Sequence, residues 1–472
     1  MPSVIALFLT LAFIVFLFRR DIQERPNITA ALWLPFLWIF FCCTRAPSEW
    51  LSLFGLPVGG VSVEEGSPLD ASVYFALVVA GLFVLNKNQA RFSEVLRQNS
   101  WLFAFLLYCF ISITWSDFPF VAFKRWIKIL GHPVMALIVF SEPDPVEALK
   151  RLMKRCAYVV LPGSILFIKY YPDWGIRYSP WGGQCNQGVA AGKNLLGADC
   201  FLLGLFFIWF LLETWREPRS RARRNELVLI AGCLCMIWWL FVRANSSTSL
   251  GSLIVGGSTL LFLGMRFVNK RFIGTYMLAG IAIFAAAETA FGVSDIFIAK
   301  LGRDPTLTGR TELWKLLLEF DVNPILGTGF ESFWLGGRLK QVGELYWWQA
   351  NEAHNGYLET YLTLGLVGLS ILIAMIFAVF WKIRRELLRD FEWGRCRLAF
   401  LVAILIYNWT EAAFKTLHPV WFVFYLIAME YPKVEFVSSE TFFEAADSEE
   451  EREPIYAEEE PVISERVTGR AF

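Results

Sequence analysis

Residues 195–212 read LLGADCFLLGLFFIWFLL. Wound as a helix at about 1.5 Å per residue, a run of this length crosses most of a hydrocarbon core roughly 30 Å thick. Comparable apolar runs recur at 3–18, 28–44, 70–86, 100–115, 129–140, 156–169, 226–242, 250–265, 272–288, 356–380, 398–413 and 417–430. Together they predict an all-α, polytopic integral membrane protein with about 12–13 transmembrane helices. Composition agrees. Of 472 residues, 56% are hydrophobic, 17% aromatic and only 18% charged, where a soluble domain carries about 25% charged residues. The 44 Phe and 20 Trp supply more apolar surface than a water-soluble core can hide. A soluble enzyme, a nucleic-acid binder and a disordered scaffold are thereby excluded. The first run has no basic residues before it and is followed by Arg19 and Arg20, the pattern of a membrane helix rather than of a cleaved signal peptide.

The 43 basic and 43 acidic residues cancel, but they are segregated. Basic residues crowd alternate loops: Arg19, Arg20 and Arg25; Lys87, Arg91 and Arg97; Lys150 to Arg155; Arg216 to Arg224; Arg266 to Arg271; and Lys382 to Arg397. The positive-inside rule assigns these loops to the cytoplasm. Loops 45–69, 116–128, 170–194, 243–249 and 289–355 then face outward. Three regions follow: an N-terminal transmembrane bundle (1–288), a segment (289–430) with the long outer loop and the last helices, and a tail (431–472). The tail carries Glu449 to Glu451 and Glu458 to Glu460 and reads as disordered and solvated on the cytoplasmic side. Within the long loop, Thr308 as N-cap with Glu312 four residues on and Leu316 to Leu318 behind predict an amphipathic helix on the membrane surface, ending near Asp321 to Pro324.

Basic residues on the expected outer face are exceptions to the charge rule: Lys124, Arg125, Lys128, Arg177, Lys193, Arg243, Arg303, Arg310, Arg338, Lys340 and Lys415. A cation at membrane depth needs water or a partner, and a diphosphate is one such partner, because guanidinium forks bind its oxygens bidentately. Snorkelling and structural ion pairs are the other explanation for each one. Of three histidines, His132 and His418 each adjoin a proline and read as structural. His354, in Asn351-Glu352-Ala353-His354-Asn355-Gly356, joins the outer loop to a span, where lipid-borne and water-soluble groups meet. An imidazole with an ordinary pKa near 6.5 can take a proton from a hydroxyl; Glu352 can orient it or act as base, and anchoring the helix start is the plain alternative.

Gly188 to Gly197 and Pro324 to Phe330 are rich in small residues that permit close backbone approach, and neither follows a nucleotide-loop pattern. The hydroxyls of Ser246, Ser247, Thr248 and Ser249 suit a helix cap. Most of the nine cysteines lie in apolar runs, so no disulfide framework is expected. The acidic pairs Glu142/Asp144, Glu64/Glu65 and Asp447/Glu449 lie on the wrong side or lack partners, so no metal and no cofactor are expected.

Gly309-Arg310, then Asn323-Pro324-x-x-Gly327-x-Gly329-x-x-x-Phe333, then His354-Asn355-x-Tyr357-Leu358 and Leu364-Gly365-x-x-Gly368 resemble the signature of the bacterial O-antigen ligase and polysaccharide polymerase superfamily. Arg177 through Gly188 to Lys193-Asn194-x-x-Gly197 resembles its exopolysaccharide-polymerase branch, and Ser246-x-Thr248-Ser249 resembles the Ser-Arg/Lys-Thr segment that opens a later span. The resemblance covers roughly residues 70 to 430. It implies a metal-independent glycosyltransferase in the bacterial inner membrane with its active site facing the periplasm. Such proteins pass glycan from an undecaprenyl-diphosphate carrier to a growing chain, as a polymerase, or to lipid A-core, as a ligase. Membrane lipid and polysaccharide export or chain-length proteins are the implied partners, with no nucleic acid. Carried over, Arg310 stabilises the diphosphate and His354 activates the hydroxyl, with Glu352 beside it. Arg177, Lys193, Asn194, Arg243 and Asn355 line the substrate pocket. Two positions depart from the pattern: Ser247 replaces the usual base, making Arg243 the substitute, and Gly192 replaces a histidine. The polymerase is favoured by the Lys-Asn-x-x-Gly stretch. The rival from another class is a lipid-linked oligosaccharide flippase or exporter, which calls for mid-span charges and an internal repeat.

Overall fold

The computed structural model describes residues 1–24, 26–56, 58, 66–88, 92–179, 182–291, 309–346 and 350–431. The expectations that rest on Arg25, Glu64/Glu65, Arg91, Arg303 and Thr308, and on the tail from Pro432 onward, lie outside the described residues. The chain is mainly helical. In order come α1 (Ser3–Gln23), α2 (Trp33–Cys43), α3 (Pro47–Leu53), α4 (Pro68–Lys87), α5 (Phe92–Gln98), α6 (Ser100–Ile111), α7 (Pro119–Ile129), α8 (Gly131–Phe140), α9 (Pro145–Tyr170) and α10 (Pro172–Gly175). A hairpin of β1 (Ile176–Tyr178) and β2 (Gln184–Asn186) pairs Arg177 with Cys185. Then follow α11 (Lys193–Thr214), α12 (Arg221–Ala244), α13 (Ser247–Leu263), α14 (Ile273–Phe291), α15 (Arg310–Glu319), α16 (Gly336–Leu345), α17 (Gly356–Arg389), α18 (Phe391–Thr410) and α19 (Pro419–Ala428).

Every expected span contains helix, yet the number long and apolar enough to cross a bilayer alone is smaller than 12–13. Among the described residues these are α1, α4, α11, α12 and α17, five in all, or seven if two bent pairs each count as one span. The pairs are Ala30–Cys43 with Pro47–Leu53, bent by 68°, and Phe92–Gln98 with Ser100–Trp115, bent by 94°. The difference has a physical cause. All ten residues of α19 and nine of the ten in α8 are buried, so these short helices are shielded by protein and need not match the bilayer thickness. By contrast, Phe8, Leu9 and Phe16 of α1 are exposed, as lipid-facing side chains are.

The basic stretch 150–155 is not a loop. It lies within α9, where Arg151, Lys154 and Arg155 are buried. Asp21 of α1 stands 2.9 Å from Arg151 and 2.8 Å from Arg155. Lys154 pairs with Glu226 of α12, as does Arg20, and Lys150 lies 2.7 Å from Glu213. Carboxylates from three neighbouring helices thus offset the desolvation of α9's cations.

Helix α17 is broken at Gly365, with φ 65° and ψ −167°, a backbone region open essentially to glycine alone. The segment after α15 fills the break. Leu366 N–H donates to Pro324 O at 2.9 Å and Val367 N–H to Ile325 O at 3.2 Å, while Thr328 N–H and Gly329 N–H reach Leu362 O (3.1 Å) and Thr363 O (2.8 Å). The polar groups released by the break are therefore satisfied inside the protein, as irregular backbone at membrane depth requires. A Cβ at Gly365 would lie 2.2 Å from Ile325 O, and one at Gly327 2.5 Å from Leu364 N. Asn323 Oδ1 accepts from Ile325 N–H (3.0 Å) and Leu326 N–H (3.1 Å), shaping the turn.

The long-loop helix α15 is capped at its N-terminus by Gly309, at φ 83°. Its apolar residues Leu313 and Leu317 are fully buried with Phe333, Val342, Ala350, Ala353 and Leu362. This small core is made by the loop itself and the start of α17, while Leu318 on the same helix stays exposed.

Candidate active site

The segment before α17 is fixed on both sides. Asn355 Oδ1 accepts from Tyr357 N–H and Leu358 N–H, each at 3.0 Å, an N-cap that ties the loop to the helix. Ala353 N–H donates to Glu359 Oε2 at 2.9 Å, and Ala353 O accepts from Trp314 Nε1 of α15 at 2.7 Å. Trp334 Nε1 holds the other oxygen of Glu359 at 2.7 Å. Between these anchors His354 adopts φ 48°, an uncommon value for a residue with a side chain.

His354 Nδ1 lies 3.0 Å from Glu352 Oε1 and 3.2 Å from Glu411 Oε2. Glu411 caps the C-terminus of α18. Its Oε1 accepts from Arg310 Nη2 at 2.8 Å and from Asn194 Nδ2 at 3.1 Å. Arg310 Nη1 also donates to Thr410 O, and the Thr410 hydroxyl meets that of Thr248 at 2.7 Å. Lys415 pairs with Glu352 Oε2. Five segments distant in the chain, the starts of α11, α13 and α15, the loop before α17 and the end of α18, thus meet at one point.

Burial disfavours a charged His354, but hydrogen bonds to Glu352 and Glu411 and the charges of both outweigh it, and its pKa is pushed up to about 9. Burial likewise opposes ionisation of Glu352, yet Lys415 and His354 hold its carboxyl well below the usual range. Lys415 is itself raised: burial lowers it and Glu352 more than compensates. At neutral pH the cluster therefore carries three cations, Arg310, His354 and Lys415, against two carboxylates. The imidazole expected to accept a proton is already protonated in this state.

Of the residues singled out from sequence, Arg310, Glu352, His354 and Asn194 come together. Asn355 serves as the cap just described. Lys193 opens α11 beside Asn194. Arg177 lies on β1, and Arg243, at the end of α12, stacks over Trp239 at 5.2 Å while its carbonyl accepts from Asn186 Nδ2 at 3.0 Å. Among the described residues, no hydrogen bond or ion pair joins Arg177 or Arg243 to Arg310, Glu352 or Glu411. Among the described residues, Arg177, Lys193 and Arg243 form no ion pair with a carboxylate, whereas Arg338 pairs with Asp117 and Arg125 donates to Glu331 O. The glycines of the motifs are structural: Gly188 packs on Ser164 and Gly197 on Ser246, where added Cβ atoms would lie 2.5 and 2.6 Å from the serine Cβ atoms. His132 Nδ1 accepts from Trp38 Nε1 at 3.1 Å, and His418 Nδ1 caps α19 through Val420 N–H at 3.2 Å.

Glu411 escaped the sequence reading. The acidic pairs weighed for the outer face did not include it, because it ends an apolar run and lies far along the chain from Glu352. That reading is corrected: Glu352 and Glu411 are a carboxylate pair beside a histidine, with ligand-type atoms within 4.8 Å of one another. A divalent ion could be held there only by displacing Lys415, Arg310 or the His354 proton from the same oxygens.

Residues 227–373 match the profile of the O-antigen ligase family, a range that includes Arg310, Glu352, His354 and Asn355. The chain is 30% identical over 308 residues to the exopolysaccharide production protein ExoQ of Rhizobium meliloti (strain 1021), a match that takes in 61% of this chain and 66% of that relative, just under two thirds of its length. It is 22% identical over 311 residues to a Rickettsia felis protein (strain ATCC VR-1525 / URRWXCal2) with the provisional name polysaccharide ligase, covering 61% of this chain and 72% of the relative. The chain is thus a multi-pass membrane protein similar to the O-antigen ligase family, whose profile its residues 227–373 match.

Proposed function

We propose that the protein is a metal-independent glycosyltransferase that polymerises undecaprenyl-diphosphate-linked glycan units at the periplasmic face of the bacterial inner membrane. The observation that carries this reading is the joining of the cations Arg310, His354 and Lys415 with the carboxylates Glu352 and Glu411 in one cluster. The acceptor hydroxyl attacks the anomeric carbon, a new C–O bond forms, and the bond to the diphosphate breaks with its electron pair leaving on the diphosphate. Arg310 and the charged His354 stabilise that developing charge. The hydroxyl proton becomes strongly acidic as the new bond forms, so a carboxylate as weakly basic as Glu352 suffices to take it. Arg177, Lys193 and Arg243, which have no carboxylate partner among the described residues, are the cations left to meet the substrate's phosphates.

Similarity to an exopolysaccharide production protein favours a polymerase; similarity to a provisional polysaccharide ligase supports transfer to lipid A-core as the second reading. The test uses protein purified in lipid, an undecaprenyl-diphosphate-linked repeat unit, EDTA, and the variants Arg310→Ala and His354→Ala. Chain elongation with release of the lipid diphosphate by wild type, lost in both variants, is the expected result. Wild-type protein that moves the lipid across the bilayer without transfer would replace this reading with the transporter.

A further inference from the structure

Glu411 is a carboxylate in an unfavourable place. It ends α18, where the partial negative charge of the helix C-terminus repels an anion, and it is only 5% exposed. Such a residue persists when donors surround it, and both of its oxygens are occupied: Oε1 by Arg310 and Asn194, Oε2 by His354. Arg310 also takes the Thr410 carbonyl, so one guanidinium satisfies the helix end and the carboxylate together. Glu352 cannot substitute for it, because its second oxygen belongs to Lys415 and it touches neither Arg310 nor Asn194.

We infer that Glu411 is a positioning residue that joins Arg310, Asn194 and His354 into one unit and holds His354 as an imidazolium turned to the leaving diphosphate. The inference rests on the transferase reading above and assigns it a residue beyond the matched segment 227–373. Among the described residues, the charged groups around His354 are Glu352 of its own loop, Glu411 at the end of α18, Arg310 of α15 behind Glu411, Lys415 behind Glu352, and Glu359 of α17 behind Ala353. Among the described residues, removal of the Glu411 charge takes away one of the two carboxylates that His354 meets.

The experiment titrates full-length protein in lipid nanodiscs, labelled with ¹³C-histidine. The three histidines allow the His354 signal to be assigned by its loss in His354→Gln. Wild-type His354 is expected to be half-protonated near pH 9. In Glu411→Gln the midpoint falls to about 8 or lower, and in Glu411→Asp, which keeps the charge, it stays closer to wild type. An unchanged midpoint in Glu411→Gln overturns the inference. In the transfer assay, Glu411→Gln should lose roughly threefold more activity at pH 8.5 than at pH 6.5; an equal loss at both values, as a merely structural residue gives, also overturns it. The titration needs no turnover, so a wild type that obeys it yet transfers nothing refutes the transferase reading alone.

Discussion

Gly365→Ala tests whether the break in α17 positions the site. The native φ of 65° with ψ −167° costs a residue with a side chain about 1–3 kcal/mol. The new Cβ would also stand 2.2 Å from Ile325 O and 2.5 Å from Leu326 N, so Pro324–Leu326 must move. That movement breaks the bonds from Leu366 and Val367 to Pro324 O and Ile325 O, each contributing about 0.5–1.5 kcal/mol. The sum is a destabilisation of roughly 2–6 kcal/mol. Because the first half of α17 carries the Asn355 cap and Glu359, transfer activity should fall with it. The assay heats detergent-solubilised protein and measures the remaining monodisperse fraction by size exclusion, since unfolding of such proteins is commonly irreversible. Gly232→Ala is the control: nothing lies within 4 Å of its added Cβ, and α12 should gain up to about 1 kcal/mol. A Gly365→Ala protein as stable and active as that control would refute the reasoning.

Lys415→Met removes one of the two cations that hold Glu352 low and leaves it His354 alone, so its carboxyl should rise toward the ordinary value; a carbonyl-region infrared titration should find Glu352 protonating at higher pH than in wild type, and a strictly unchanged spectrum would contradict the pairing. Arg310→Lys keeps the charge but loses the fork that reaches both Glu411 and Thr410 O, and kcat should drop about 10- to 100-fold, as measured by lipid diphosphate release. For wild type, the raised pKa of His354 means that the charged form dominates at neutral pH and the rate should decline as pH rises through about 9; the associated stability is complete below the ordinary imidazole value of about 6.5 and is lost across the same upward interval. Addition of EDTA should leave the rate unchanged, and loss of activity restored by a divalent ion would reassign Glu352, His354 and Glu411 as metal ligands.

The helical class of this protein was legible because bilayer insertion depends on the summed apolarity of a segment, a property local to the sequence. His354, Arg310 and Asn194 could be named for a similar reason, since short motifs carry them. The number of true spans was less legible. A ten-residue helix such as α19 is apolar whether it faces lipid or protein, and only its neighbours determine that it is buried. The cations of α9 show the same limit: their residue types suggest a cytoplasmic loop, and their partners Asp21, Glu213 and Glu226 come from other helices.

Sequence alone determined that this chain lives in a membrane, which family pattern it resembles, and which histidine and arginine stand in the motifs. Tertiary structure decided their chemical state. Glu411 gives no signal at the end of an apolar run; it acquires a role only when folding brings the end of α18 against the starts of α11 and α15. The charge of His354 depends on two carboxylates, one near in the chain and one remote, and an electrostatic environment is set by distances in space, which the order of residues does not record.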